Sequence, residues 1–403
     1  MHGEMSPRRL RGALKTSKMI AAPRALVFCG LLAVACADAN PFKIDDVTLS
    51  PGTPAALLTK ILKNEKTGEH VQIAVGSGGK TVRLQLISPA TGKLRDVLVP
   101  LTAWTDAAGI RDTIGTIHYA GSILAPFANR VANGTYDFFG KHYNLVRNEC
   151  SDVRCDALHG FLYNRSMETV AQETYSTNGA YGARLTLGYQ FDGDSTPGWP
   201  FKAAMNVTYA LESSGARTTL SITTRALNTQ TDGGAQPWTV SWHPYFLVSD
   251  VSTARVEFDT SGGGGWRHLT CPAGAPRDGS LIPTGETTPW TTFDGKTPLG
   301  GTAAKPTYMD DEFKATLPDH TPGGRGGNIA NRIHDGNETT VLTGYNAAFR
   351  TWQIFTGSKE LFGWDAIALE PMSGLADAFN NGDGLTVLNV GEAFEGTFAV
   401  HME

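Results

Sequence analysis

Little in the sequence invites a metal. No CxxC pair occurs, and no run sets histidine and cysteine at ligand spacing. Helical stripes are equally scarce, which weighs against a bundle. No basic stripe is present in a chain of formal net charge −5, so nucleic acid is a poor fit as a partner. The glycine-rich stretches at 261–265 and 322–327 lack the strand-to-helix setting and the lysine of a phosphate cradle, and read as surface loops. The apolar run 25–35 is too short to span a bilayer comfortably as a helix. No strict repeat divides the chain.

Turns and alternation are plentiful. The 403 residues include 46 glycines without a short period, which fits many turns and not collagen. Apolar and polar residues alternate over 81–87, 184–191, 201–211, 218–224, 239–248, 254–258, 339–345, 352–355, 366–369 and 397–401, the period of a half-buried strand. Clusters of Gly, Asn, Asp, Pro and Ser join these runs and supply turn geometries. Many strands without intervening helices predict an all-β fold, a large antiparallel sandwich or barrel. The stretches 272–306 and 318–328 are loop-like, yet neither parts two halves of different composition. Residues 40–403 are therefore expected to form one catalytic domain.

Residues 1–39 stand apart. Arg8, Arg9, Arg11, Lys15, Lys18 and Arg24 precede the apolar run, and small residues follow through Ala39. Basic, apolar and small-residue regions in that order predict a secretory signal peptide, cleaved after Ala37 or Ala39. The expected protein is secreted and extracellular, with no membrane attachment after cleavage. Without the leader the formal net charge falls to about −9. Cysteine usage agrees. Cys29 and Cys36 leave with the leader, and Cys150 and Cys155 are spaced to close a small disulfide loop in an oxidising compartment. Cys271 is then an odd, buried free thiol. Sequons for N-glycosylation at Asn133, Asn164, Asn206 and Asn337 fit the same route.

Two segments carry most of the chemistry: TVSWHPYF at 239–246 and AIALEPMSGLADAFN at 366–380. In a strand, residues two apart share a face. Val240, Trp242, Pro244 and Phe246 then form one face, and His243 shares the other with Ser241 and Tyr245. Ile367 and Leu369 point away from Glu370. A histidine and a glutamate aimed into one cavity make an acid/base pair. The stretch 121–134 adds Asn129 and Arg130, ALHGF adds His159, and YMDDEF adds Asp310 or Asp311. Arginine forks and amides suit oxygen-rich ligands. With aromatic residues nearby, the set has the make-up of a carbohydrate site.

The order APFANRVANG, LHGF, SWHPYF, MDDEF, ALEPMSGLADAFN, from about residue 45 to the C-terminus, resembles the aldose 1-epimerase (galactose mutarotase) family. Each motif alone is moderately specific; five in this order are strong. The resemblance implies a β-supersandwich of large antiparallel sheets with an open sugar-binding cleft. It implies Glu370 as general base and His243 as general acid, with Arg130, Asn129, His159 and Asp310 binding substrate, and neither cofactor nor metal. The implied reaction interconverts α and β anomers of free aldohexoses. A base removes the anomeric hydroxyl proton while an acid protonates the ring oxygen. The open aldehyde then turns about C1–C2 and recloses. Glu370 ionised and His243 protonated would start the cycle, and such proton transfer contributes roughly 10²–10⁴-fold.

Some positions depart from the galactose mutarotases. Trp242 and Pro244 flank His243 where Asn and Ser are usual, and Phe161 replaces a second glycine. Phe349 falls where a sugar-binding glutamine is expected. These changes concern the choice of sugar more than the reaction. A hexose-6-phosphate 1-epimerase would need a basic cluster that the sequence does not display. A non-catalytic secreted carbohydrate-binding protein would have no need of both His243 and Glu370. A hydrolase usually needs two carboxylates flanking one bond.

Overall fold

The computed structural model describes residues 39–403 apart from 178, 232, 262–263, 276–278 and 317–326. The leader up to residue 38 and most of the stretch 318–328 lie outside the described residues.

Two antiparallel sheets dominate. The first has nine strands in the order Glu168–Thr177, Ala180–Phe191, Ala203–Ser214, Arg217–Asn228, Ala393–Met402, Glu338–Gly344, Ile329–Asp335, Arg255–Glu257 and Asp294–Pro298. It follows the period of two. In Ala203–Ser214 the residues Ala203, Met205, Val207, Tyr209 and Leu211 are buried, and those between them are partly exposed. Leu185 faces Tyr209 and Leu187 faces Val207 across the ladder, the pairing that stabilises one apolar face. The edge strand Glu168–Thr177 has no buried residue, so alternation could not betray it.

The second sheet runs Thr287–Trp290, Gly265–Leu269, Asp310–Thr316, Thr351–Phe355, Ala366–Met372, Ser241–His243 and Ser122–Leu124, with Tyr245–Leu247 also pairing on Ala366–Met372. One face packs on the first sheet. Trp242 stacks on Phe398 with ring centroids 5.4 Å apart, and Ile354, Ile367 and Leu369 share a core with Leu187 and Val207. Near its other face, Ala366 and Ala368 pack with Val82, Leu101 and Trp364. Thr351–Phe355 and Ala366–Met372 are accordingly buried at every residue. The architecture is the all-β supersandwich expected, and Asn40–Glu403 clusters as one compact unit.

Three local expectations change. The run 239–248 is two strands, because Pro244 has no N–H to give a ladder. The stretch 272–306 is not all loop, since Thr287–Trp290 and Asp294–Pro298 are outer strands of the two sheets. Their prolines, Pro289 and Pro298, disguised them in sequence but are tolerated at an edge. Asn133, Asn164 and Asn337 are exposed, whereas Asn206 is half-buried within a central strand. The disulfide forms: Cys150 and Cys155 face each other in the hairpin of Glu149–Cys150 and Cys155–Leu158 and are bonded. Cys271 is free, and burial with Glu312 and Asp311 nearby pushes its thiol up to about 12. It is no nucleophile at neutral pH.

Candidate active site

Four of the five segments interlock through their backbones, and the fifth, 308–313, joins them through the intervening strand Thr351–Phe355. Gly121 donates to the His243 carbonyl at 2.8 Å, His159 to Asn129 at 2.9 Å, and Asp377 to Arg130 at 2.6 Å. Asn129 and His159 both sit in the left-handed region, at φ 52° and 65°. For side chains other than glycine this stores strain of order 1–3 kcal/mol each, held by the bond between them. Gly160 follows, where a Cβ would come within 2.3 Å of the Ala125 carbonyl oxygen. Only glycine lets the chain pass there, and so His159 is aimed inward.

The convergence makes a cavity of about 260 Å³ lined by His243, Glu370, His159, Arg130, Asn129 and Asp310. All six residues singled out in the sequence meet there. The His243 Nε2 lies 3.5 Å from Glu370 Oε1, with the side chains 7% and 3% exposed. The His159 ring meets the His243 ring edge-on at 5.2 Å, and Tyr119 and Tyr245 lie parallel to the His243 ring at 6.3 and 5.0 Å. Glu370 Oε2, His243 Nδ1 and His159 Nδ1 are buried without a protein partner. Leaving such atoms unpaired costs roughly 1–3 kcal/mol each, which a ligand rich in hydroxyls would relieve.

Burial also sets the protonation. It pushes Glu370 well above the usual carboxylate range, reinforced by Asp310 and opposed by Arg130. It drives His243 down to about 3, with Arg130 and His118 adding to the shift, and takes His159 well below its ordinary value. Both shifts favour the protonated carboxyl and the neutral imidazole, so burial biases a proton shared by the pair towards Glu370. This reverses the starting state expected from sequence, because desolvation penalises the carboxylate and the imidazolium alike.

Strand register settles the rest. Glu312 faces Gln353, and Gln353 faces Glu370, so the three side chains share one face. Asp310 lies on that face too, two residues before Glu312. Asp311 points the other way and bonds His268 Nε2 at 2.7 Å, which resolves the choice between the two acids. Gln353 donates to Asp310 Oδ1 at 2.6 Å and accepts from Asn129 at 3.2 Å. The expectation that Phe349 stands in place of the sugar-binding glutamine is wrong. Phe349 precedes the strand and packs against Phe398 in the core, while Gln353 lines the cavity. A polar residue within TWQIF was the available signal. Arg130 is a different surprise: Glu149 grips it with two bonds of 2.6 and 2.7 Å. Nothing in the sequence around Glu149 foretold that. Tyr308, Phe355 and Phe362 give the cavity its aromatic wall. Among the described residues, no three His, Cys, Asp or Glu side chains are grouped to hold a metal ion.

Several known proteins resemble the chain. A pig galactose mutarotase is 26% identical over 242 residues, 59% of this chain and 61% of that protein. A Cenchrus ciliaris protein provisionally named a glucose-6-phosphate 1-epimerase is 44% identical over 120 residues, 30% of this chain and 32% of that one. The chain thus spans less than two thirds of the length of the curated relatives it matches. The crystal structure of a galactose mutarotase-like protein from Clostridium acetobutylicum superposes with a TM-score of 0.64 at 16% identity, covering 91% of this chain and 99% of that one, a likeness of fold. The family model for aldose 1-epimerase matches residues 108–401, a stretch that holds every residue of the cavity, and the chain belongs to that family.

Proposed function

We propose that the protein is an aldose 1-epimerase that interconverts the α and β anomers of a free aldohexose. The observation that carries this reading is the His243–Glu370 pair, 3.5 Å apart and buried at one cavity. The pair holds one proton in total, so moving it from Glu370 to His243 requires none from solvent. Sugar hydroxyls replace the lost water and lower the cost of the charge-separated form. Glu370 then takes the anomeric hydroxyl proton, and His243 gives its own to the ring oxygen. C1 becomes an aldehyde carbon, the C1–C2 bond turns, and closure on the other face returns both protons. Asn129, Gln353 and Asp310 are linked by hydrogen bonds and present donors and acceptors to the ring hydroxyls.

The resting protonation favours a second assignment of the same pair, with neutral His243 as base and protonated Glu370 as acid. A sugar complex decides between them: the group within hydrogen-bond reach of O1 is the base. The reaction itself is tested by polarimetry or NMR on freshly dissolved α-glucose and α-galactose. Faster approach to anomeric equilibrium is expected. Sugar binding with the spontaneous rate unchanged would instead make this a carbohydrate-binding protein. The site of action proposed is extracellular, supported by the leader-like residues 1–39 and the Cys150–Cys155 disulfide. Recovery of the protein from culture medium, with its N-terminus near Ala39, checks this.

A further inference from the structure

We infer that the disulfide-closed hairpin from Glu149 to Cys155 is the specificity element of the cavity: Glu149 occupies both guanidinium groups there, so the site takes an uncharged aldose and turns away sugars bearing phosphate or carboxylate. The inference rests on the epimerase reading of the same site.

Arg130 and Arg154 line the cavity, and no other lysine or arginine does so among the described residues. Two free guanidinium groups converging on one space would form an anion site, since each offers a planar fork matched to phosphate or carboxylate. These two are engaged. Glu149 accepts two bonds from Arg130, at 2.6 and 2.7 Å, and one from Arg154 Nη2, at 3.1 Å. Arg154 also donates to the Gly279 carbonyl at 3.0 Å, and Asp310 lies 4.0 Å from Arg130. Burial alone would raise Glu149, but Arg130 and Arg154 outweigh it and hold the carboxyl below its usual range. The wall's histidines, His118, His159 and His243, are all lowered by burial, which disfavours their charged forms. An anionic sugar entering here meets the Glu149 carboxylate and two guanidinium groups already bonded to it, of which Arg154 keeps one buried donor, Nε, without a partner. Built-in repulsion of this kind discriminates as strongly as a new contact.

The disulfide explains how so small a hairpin holds its place. Glu149 immediately precedes Cys150, and Arg154 immediately precedes Cys155. The hairpin tip adds little to the core, since Val153 is 56% exposed. The Cys150–Cys155 bond and the 2.7 Å bond from Ser151 N–H to the Arg154 carbonyl fix it instead. They keep the carboxylate and the second guanidinium at bonding distance.

The test is calorimetric titration of glucose, glucose 6-phosphate and glucuronate into the wild-type chain, Glu149→Gln, and the Cys150→Ser/Cys155→Ser double variant. Anomer exchange by NMR is followed on the same samples. Wild type should prefer glucose over both anions by about tenfold or more. Glu149→Gln should cut that preference by about tenfold or more, and the cysteine variant should shift it the same way by less. A wild type that prefers either anion overturns the inference. So does a Glu149→Gln that weakens all three sugars by one factor, which would make Glu149 only a prop for Arg130. If Glu149→Gln does not fold, the cysteine variant carries the test, and an unchanged ratio there overturns it. Wild type that prefers glucose but speeds no anomer exchange upholds the inference on specificity while removing the epimerase reading.

Discussion

The two large sheets bury their residues differently. In Ala203–Ser214 of the nine-stranded sheet, one face is core and the other partly wet. In Ala366–Met372 of the eight-stranded sheet every residue is buried, Glu370 included. A polar side chain on the first sheet's outer face costs nothing and signifies little. On the second sheet it gives up its water, so Gln353, Glu370 and Glu312 stand out against their apolar strands. The same contrast holds within the second sheet. His268 and Asp311 form a short, partly exposed contact at 2.7 Å, while His243 and Glu370 stand further apart and dry. The shorter contact keeps some water; the drier one has the charged form of each partner disfavoured by burial.

The largest effect expected from breaking this contrast is on Glu370. Glu370→Gln should lower the rate of anomer exchange by roughly 10²–10⁴-fold with the melting temperature little changed, because a neutral amide replaces a carboxyl that is already protonated. His243→Gln should fall by a similar factor, and the double variant no further than the worse single, since the two act as one unit. Additive losses in exchange kinetics would separate the pair. A core truncation in the other sheet should do the opposite. Leu187→Ala should cost about 2–5 kcal/mol in denaturant unfolding while each folded molecule keeps its rate. Gln353→Ala should raise KM by roughly tenfold, about 1.4 kcal/mol of lost hydrogen bonding, with a smaller change in kcat.

The smallest effect concerns Glu312, which accepts from the Ala376 amide at 2.9 Å and is pushed up to about 8 by burial. Its folded value lies above the ordinary 4.5, so the folded chain keeps a proton that the unfolded chain releases. Stability from this group is complete below the unfolded value and is lost as pH rises through about 8. Glu312→Gln should match wild type in melting temperature at about pH 4 and exceed it at about pH 9. Equal melting temperatures at both would show that folding does not raise the Glu312 carboxyl.

Much of this was legible in the chain. Every alternating run holds a strand, although 239–248 breaks in two at Pro244, and the faces assigned to His243 and Glu370 are the faces they occupy. Strands without alternation escaped, such as Glu168–Thr177, which buries nothing, and Thr287–Trp290, whose Pro289 reads as a turn. Gln353 was hidden by a misplaced correspondence at Phe349, although its own strand carries the same signal as Glu370. Glu149 was beyond reach, because its neighbours in sequence say nothing of Arg130.

By itself the sequence determined which way each strand's side chains face, since a period of two is local geometry and needs no partner. It also determined the motif order that defines the family. Only the tertiary structure decided that Asn129 reaches Gln353 across 224 residues of chain, and that Glu149 holds two arginines. The structure alone also decided that Glu370 and His243 are both buried, which favours the uncharged form of each. Those outcomes depend on water being excluded from a cavity walled by distant segments, and desolvation is a property of the assembled fold.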